Sequence, residues 1–380
     1  MKLTSAMEQY VLDTKNDVQE LIRRIAPIPA PSHHEDLRVE FVKNWMEKEG
    51  AEGVYVDEAK NVIWPVNVKE NNDIYVFMAH TDVVFPDTTE LPFKEDDRYM
   101  YCPGVGDDTA RLAVLLYAYR YFHKAGMKPA GDFGVLIVAN SCEEGLGNLD
   151  GTKNIVKNFG SRIKGFYTID GGLKNIVTIA VGSHRYKVTV RTEGGHSYGA
   201  FGNRNAIAYL ASMINTLYQM KVPAKEGTRT TYNVGTIEGG TSVNTIAQEA
   251  SMLYEYRSDD RECLAKMKDM FEKVVEAYRT MGIEVEVTLL GERPCGAEFG
   301  PEYEEFLAHT MECGRDILGV TFGRRSGSTD ANIPLSKGIC AVCVGGCDSV
   351  GAHTREEFLD KESLIPGIRF VMALMSKYFA

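Results

Sequence analysis

The chain has 380 residues with 42 basic and 53 acidic side chains, a net charge of -11 that argues against a nucleic-acid or anionic-membrane surface. Its 44% hydrophobic and 25% charged composition is that of a globular protein. The length exceeds one ordinary core, so two domains are expected. No apolar run reaches the ~18 residues a membrane helix needs, and Met1 to Glu20 is polar and mixed in charge, unlike a signal peptide. With the eight cysteines read as free thiols of a reducing compartment, the expected location is cytoplasmic.

In chain order, Ser5 to Arg24 reads as one amphipathic helix, stopped by Pro27, Pro29 and Pro31. A second helix is predicted from Ser32–Asp36 to about Glu49, followed by a hairpin over Gly53 to Asn67 that turns at Lys60-Asn61. Ile74 to Ala79 and Gly134 to Ala139 are short continuous apolar runs, the pattern of strands buried on both faces. Between them Thr109 to Ala125 carries Leu112, Leu115, Leu116 and Tyr119 at helical spacing. Gly165 to Ile169 and Ile339 to Val344 read as further core strands. Cys340, Cys343 and Cys347 lie in and just after the last of these, which disfavours a thiolate metal site there. The predicted class is α/β, with a mixed, largely parallel sheet.

From about Ser183 the pattern changes. Strands Tyr186 to Arg191, Tyr232 to Ile237 and Ala250 to Tyr256 alternate apolar and polar residues; with Ile283 to Leu289 and the helices Asn205 to Met220 and Arg261 to Met281 they give the order β-α-β-β-α-β. Residues 183–292 therefore read as an inserted ferredoxin-like α+β domain within a first domain of residues 1–182 and 293–380. Helices near Glu302 to Leu318 and Lys361 to Phe379 complete the first domain.

Four polar motifs follow the apolar strands: His80-Thr81-Asp82, Asn140-Ser-Cys-Glu143-Glu144-Gly145, Asp170-Gly171-Gly172 and Gly351-Ala-His353. Ligands of such sheets collect at the carboxyl ends of the strands, so these motifs are expected in one crevice. A fifth, Gly104-Val-Gly-Asp107-Asp108, is a Gly-rich turn into a helix. Its carboxylates read either as an N-cap and its neighbour or, since one carboxylate has two oxygens, with Asp107 as a bridge between two cations. Adjacent carboxylates such as Glu143-Glu144 repel unless a cation or proton compensates, and histidines with carboxylates suit a divalent ion such as zinc.

In order and spacing these motifs, together with Gly195-His196, resemble the M20 family of dinuclear zinc peptidases and deacylases, and within it the peptidase T-like branch. The resemblance implies a zinc exopeptidase-like catalytic domain, an inserted domain serving as lid and dimer platform, and a homodimer. It implies that Asp107 bridges two divalent ions (zinc, with manganese or cobalt as alternatives), His80 and Asp170 completing one position and Glu144 and His353 the other. It further implies that Glu143 acts as base and then acid, that Asp82 hydrogen-bonds His80 and fixes its tautomer, that His196 stabilises the oxyanion, and that the Asp107–Asp108 peptide is cis. Asn244, Arg257 and the loop Ser326 to Asp330, with Ser328 and Thr329, match positions that hold substrate. The family usually has Lys after the Asp pair, where this chain has Thr109.

The activity so implied is hydrolysis of an amide, with a short-peptide aminopeptidase as the first reading and an N-acyl amino acid deacylase as the second, because His80-Thr-Asp-Val-Val84 fits both. A catalytically silent metal-binding relative is a third, and a serine hydrolase on Gly195-His-Ser197-Tyr-Gly199 a fourth, although that string follows a half-exposed strand. His33, His34, His123, His184 and His309 match no ligand position and read as surface or core residues.

Overall fold

The computed structural model describes residues 2–380, and the chain divides into two compact units, Met1–Ala180 with Ala297–Ala380, and Val181–Gly296.

The apolar runs of the first unit form its main sheet. Its eight strands are Tyr55–Val56 (β1), Val62–Val66 (β2), Asp73–His80 (β3), Phe133–Asn140 (β4), Ile163–Ile169 (β5), Asn175–Ala180 (β6), Gly323–Gly327 (β7) and Ala341–Val344 (β8), in the order β1-β2-β4-β3-β5-β8-β6-β7. Strands β4, β3, β5 and β8 are mutually parallel, while β2 and β6 run against their inner neighbours. Along β3 every residue from Val76 to His80 is buried, so both faces of the sheet are covered there. The helix Arg111–Lys124, buried from Arg111 through Tyr119, lies against β3 and against the apolar terminal helix Leu364–Met375.

Several elements differ from the sequence reading. The first predicted helix is two, Ser5–Asp13 and Lys15–Ile25, broken at Thr14, whose hydroxyl donates to the Tyr10 carbonyl at 2.8 Å and competes with the helical ladder. The next helix begins at Asp36 rather than Ser32. The hairpin at 53–67 is β1 and β2, with Lys60 in the left-handed region at its turn. The helix predicted from Thr109 starts at Arg111, after a wider π-type turn over Val105–Ala110. The helix Asp150–Phe159, the strands β6 and β7, and a small four-stranded sheet had no counterpart in the sequence reading. That small sheet joins Lys94–Glu95, Tyr99–Tyr101, Ser349–Val350 and Phe358–Asp360.

In the second unit four antiparallel strands lie in the order Thr230–Gly239, Glu249–Ser258, Gly182–Arg191, Glu284–Arg293. Alternation along Glu249–Ser258 turns Met252, Tyr254 and Tyr256 inward, against Leu210 and Met213 of the helix Ala206–Gln219 and Phe271 of the helix Arg261–Thr280. This is the β-α-β-β-α-β order read from the sequence, and Thr230–Gly239 is left as a largely exposed edge. Among the described residues no helix is long and apolar enough to cross a membrane.

Candidate metal centre

Register sets the geometry of the site. His80 at the end of β3 pairs with Asn140 at the end of β4, Met78 pairs with Thr168 of β5, and Ile169 pairs with Val344 of β8. The N–H of Asp170 donates to the Val344 carbonyl at 2.9 Å. Thr81-Asp82, Glu143-Glu144 and Asp170 therefore leave the sheet along the same edge.

The Asp107–Asp108 turn is brought to this edge by a carboxylate that the sequence reading did not single out. Glu357 is fully buried; its Oε2 accepts the Gly104 N–H at 2.8 Å, and its Oε1 accepts those of Gly106 and Asp107 at 2.9 and 2.8 Å. Gly106 has to be glycine here, because a Cβ would lie 2.1 Å from Ser349 Cβ and 2.9 Å from Glu357 Oε1. The Asp107–Asp108 peptide is cis. Neither Asp caps the following helix through its side chain. Instead Asp108 Oδ2 accepts the backbone N–H of His80 at 2.8 Å, tying the turn to the end of β3.

Asp107 faces two ways. Its Oδ1 lies 3.2 Å from His80 Nε2, and its Oδ2 lies 3.3 Å from His353 Nε2, which is also 3.3 Å from Glu144 Oε2. Donor atoms of His80, Asp107, Asp108 and Asp170 lie within 4.8 Å of one another, as do those of His80, Glu143 and Glu144, and those of Asp107, Glu144 and His353. His353 is carried on the connection between Ser349–Val350 and Phe358–Asp360, with positive φ and 58% of its side chain exposed.

The electrostatics are those of carboxylates crowded together in a buried site. Burial, with Asp107 and Asp108 alongside, pushes the Asp170 carboxyl well above its ordinary range. Burial raises Asp108 to about 8, and its Oδ1 accepts no hydrogen bond. For Asp107 the hydrogen bonds of His353 and His80 outweigh burial and hold the carboxyl well below its usual range. His353 is raised to about 10 by its hydrogen bonds to Asp107 and Glu144, so the two carboxylates favour positive charge between them. A mixed set of imidazole and carboxylate donors around two adjacent points fits divalent zinc, manganese or cobalt.

Asp82 is fully buried and differs in detail from what the resemblance implies. The His80 Nδ1–H donates to the Asp82 backbone carbonyl at 3.0 Å, while the carboxylate Oδ1 lies 3.4 Å away. That carboxylate accepts the N–H groups of Glu143 and Glu144, each at 3.0 Å, and the Ser32 hydroxyl at 2.7 Å. Asp82 thus orients the histidine and both glutamates together. The next turn of backbone is fixed from the other side, where the buried Glu35 accepts the Cys142 N–H at 3.0 Å.

The Ser326 to Asp330 loop is pinned to the same strand ends. The buried Asp330 carboxylate accepts from Asn140 Nδ2 at 2.7 Å and from the Thr152 hydroxyl. Thr329 is buried, its N–H donating to Asn332 at 3.0 Å, and Ser328 beside it is half-buried. The other predicted residues belong to the second unit. His196 is exposed, its Nδ1 accepting from the N–H groups of Tyr198 and Gly199 at 3.3 and 3.2 Å. Asn244 is exposed and accepts from the Ser242 hydroxyl at 2.6 Å. Arg257 makes a two-pronged pair with Glu255, at 3.0 Å for each contact. Ser197 is not on a strand-to-helix elbow: Gly195–His196 is a two-residue strand paired with Thr245–Ile246, and turns follow.

Two basic residues were also missed. Arg38 is fully buried and donates to the carbonyls of Ala26, Ile28 and Thr81 and to the hydroxyl of Thr109, which joins the segments after β3 and after the Asp pair. Arg111 reaches the carboxylate cluster itself, so a basic side chain is present there although position 109 is Thr. Neither arginine has a sequence signal beyond its place in a helix.

Against known proteins, the sequence model of peptidase family M20/M25/M40 matches residues 76–377. The chain is 26% identical to the protein YqjE of Bacillus subtilis (strain 168) over 333 residues, 84% of this chain and 85% of that one. Its fold is similar to that of the aminopeptidase PepT from Bacillus cereus ATCC 10987, with TM-score 0.70 at 22% identity over 97% of this chain and 98% of that one. It is also similar to a tripeptidase from Staphylococcus aureus subsp. aureus Mu50, with TM-score 0.73 at 22% identity over 97% of each chain. The family match spans the strands and turns that gather these histidines and carboxylates, and the protein belongs to peptidase family M20/M25/M40, hydrolases that act on peptide bonds.

Proposed function

We propose that the protein is a dinuclear metal-dependent aminopeptidase acting on short peptides. The observation that carries this reading is Asp107, whose two oxygens face His80 on one side and His353 with Glu144 on the other. His80, Asp107 and Asp170 would hold one ion, and Asp107, Glu144 and His353 the second; zinc is the first choice, with manganese or cobalt as alternatives. Two ions so held would make a water nucleophilic near neutral pH and polarise the scissile carbonyl.

Within this reading Glu143 takes a proton from the attacking water and returns it to the departing amine, acting as base and then acid. Its backbone is fixed by Asp82, and its carboxylate belongs to the group formed with His80 and Glu144. His196 is assigned to stabilising the negative oxygen; Asn244, Arg257, Ser328 and Thr329 are assigned to holding the substrate. The exposed edge strand Thr230–Gly239, together with exposed Ile237, Leu253 and Leu289, supports a homodimer through the second unit. Eight cysteines without disulfides support a cytoplasmic setting.

The test is hydrolysis of a free tripeptide, its N-acetyl form and an N-acetyl amino acid by metal-loaded protein. The free tripeptide should be cleaved from its amino end, with activity lost in chelator and restored by the ion. Cleavage of the N-acyl substrates alone would replace the peptidase by a deacylase, and full activity in chelator would remove the metal mechanism.

A further inference from the structure

Arg111 opens the helix Arg111–Lys124, and although arginine is ordinarily exposed, only 8% of its side chain is so here. Its Nε donates to the Gly171 carbonyl at 2.9 Å, and one terminal nitrogen lies 3.4 Å from the Ser349 hydroxyl. The other lies 3.4 Å from Asp107 Oδ1, 3.5 Å from Asp108 Oδ1 and 3.4 Å from Asp170 Oδ1. Packing holds it there, since even a Cβ on Gly346 would come within 3.3 Å of the arginine stem.

These partners are not shared evenly between the two ion positions. Asp107 Oδ1 faces His80, with which Asp170 is grouped, whereas Glu144, His353 and Asp107 Oδ2 form the other side. A guanidinium cannot be neutralised by losing a proton. In a desolvated site its repulsion of a nearby divalent ion is screened far less than in water. We propose that Arg111 is a built-in cation that makes the two positions unequal, weakening the one formed by His80, Asp107 and Asp170 relative to the one formed by Asp107, Glu144 and His353. It competes for two carboxylates that the first position needs, and it neutralises part of the three-carboxylate cluster when that position is empty. The protein then keeps one ion firmly and exchanges the other. This inference rests on the dinuclear reading given above.

The experiment is calorimetric titration of metal-stripped, full-length protein with Mn2+ or Co2+, with bound ions counted by mass spectrometry. The wild type should take up one ion tightly and a second with a Kd about tenfold weaker or more. In Arg111→Met, which removes the charge and keeps the bulk, the second Kd should fall about tenfold toward the first, while the first stays within about twofold. Because three carboxylates lose their counter-charge, the variant should also show the larger rise in Tm when metal is added. Should Arg111→Met fail to fold by circular dichroism, Arg111→Gln carries the same expectation, since it keeps a donor and loses the charge. Two equal sites in the wild type, or a gap between the two Kd values that survives loss of the charge, would overturn the proposal. A wild type that binds no ion would instead overturn the dinuclear reading beneath it.

Discussion

In the first unit the polar residues of the candidate site are held by one another. His80, Asp82, Asp108, Glu143, Glu144 and Glu357 are buried; Asp82 and Glu357 each accept two or more backbone N–H groups of the turns that carry the other members, and Asp108 accepts that of His80. In the second unit His196, at the end of a two-residue strand, and Asn244, on a turn, are exposed with local contacts, and Arg257 pairs with a neighbour on its own strand. The contrast follows from the sheets. A parallel sheet covered on both faces offers polar groups a place only at its strand ends, where they crowd and must compensate each other. An antiparallel sheet with one open face leaves its loops in water, where each side chain is satisfied alone. Changes to the first-unit residues that brace the histidines and carboxylates should therefore propagate to metal binding, and changes in the second unit should not.

The largest effect should come from Glu143→Gln, which removes the proposed proton shuttle and leaves the proposed ligands. The turnover should fall by about 10²–10⁴-fold, with metal content unchanged by mass spectrometry. Near-parent turnover in that variant would end the assignment of Glu143. His196→Ala should lower kcat by about 10²–10³-fold with bound metal and Tm unaltered; a loss of metal there would mean that the second unit does contribute to the cluster and would break the comparison. Asp82→Asn sharpens it from the other side. The substitution disturbs one carboxylate that fixes both glutamate amides, and metal affinity should drop about 10–100-fold in a chelator competition titration.

How much could be read in advance also divides along this line. Ile74 to Ala79 and Gly134 to Ala139 announce buried strands, and a strand end followed by His80-Thr-Asp82 or Glu143-Glu144 is legible because apolar pattern and polar punctuation adjoin. Strand β7, Gly323-Arg-Arg-Ser-Gly327, has no apolar residue and exists only because β6 offers it a parallel edge, so no periodicity marks it. Glu357 lies in Thr354-Arg-Glu-Glu, which reads as a solvated charge run; only the fold places the second of its glutamates under the Asp107 turn. Arg111 and Arg38 are hidden for a similar reason: their partners are carbonyls and carboxylates from distant segments, and residue spacing carries no trace of such contacts. The break at Thr14 is a local competition by one hydroxyl within an otherwise unbroken amphipathic pattern.

The smallest effect concerns the pH dependence of stability in the second unit. His184 is buried in the second unit beside two phenols. Its Nδ1 lies 2.7 Å from Tyr256 Oη and 3.3 Å from Tyr186 Oη, and its Nε2 lies 3.2 Å from Glu292 Oε1. Burial lowers its pKa; Lys268 acts in the same direction, while Glu292 and Glu272 oppose. A histidine whose folded pKa is depressed binds its proton more readily in the unfolded chain. The stability it contributes is therefore complete above the unfolded value of about 6.5 and is lost as pH falls below it. Thermal unfolding of full-length protein in chelator, from pH 8 to pH 5, should show Tm falling more steeply in the wild type than in His184→Gln. The carboxylates of the first unit titrate in both proteins and, being untouched by the substitution, should cancel in the difference. Parallel Tm profiles for the two proteins would remove His184 as a source of acid sensitivity and make His309 of the first unit, depressed by burial against the opposing effect of its hydrogen bond with the Leu374 carbonyl, the next group to replace.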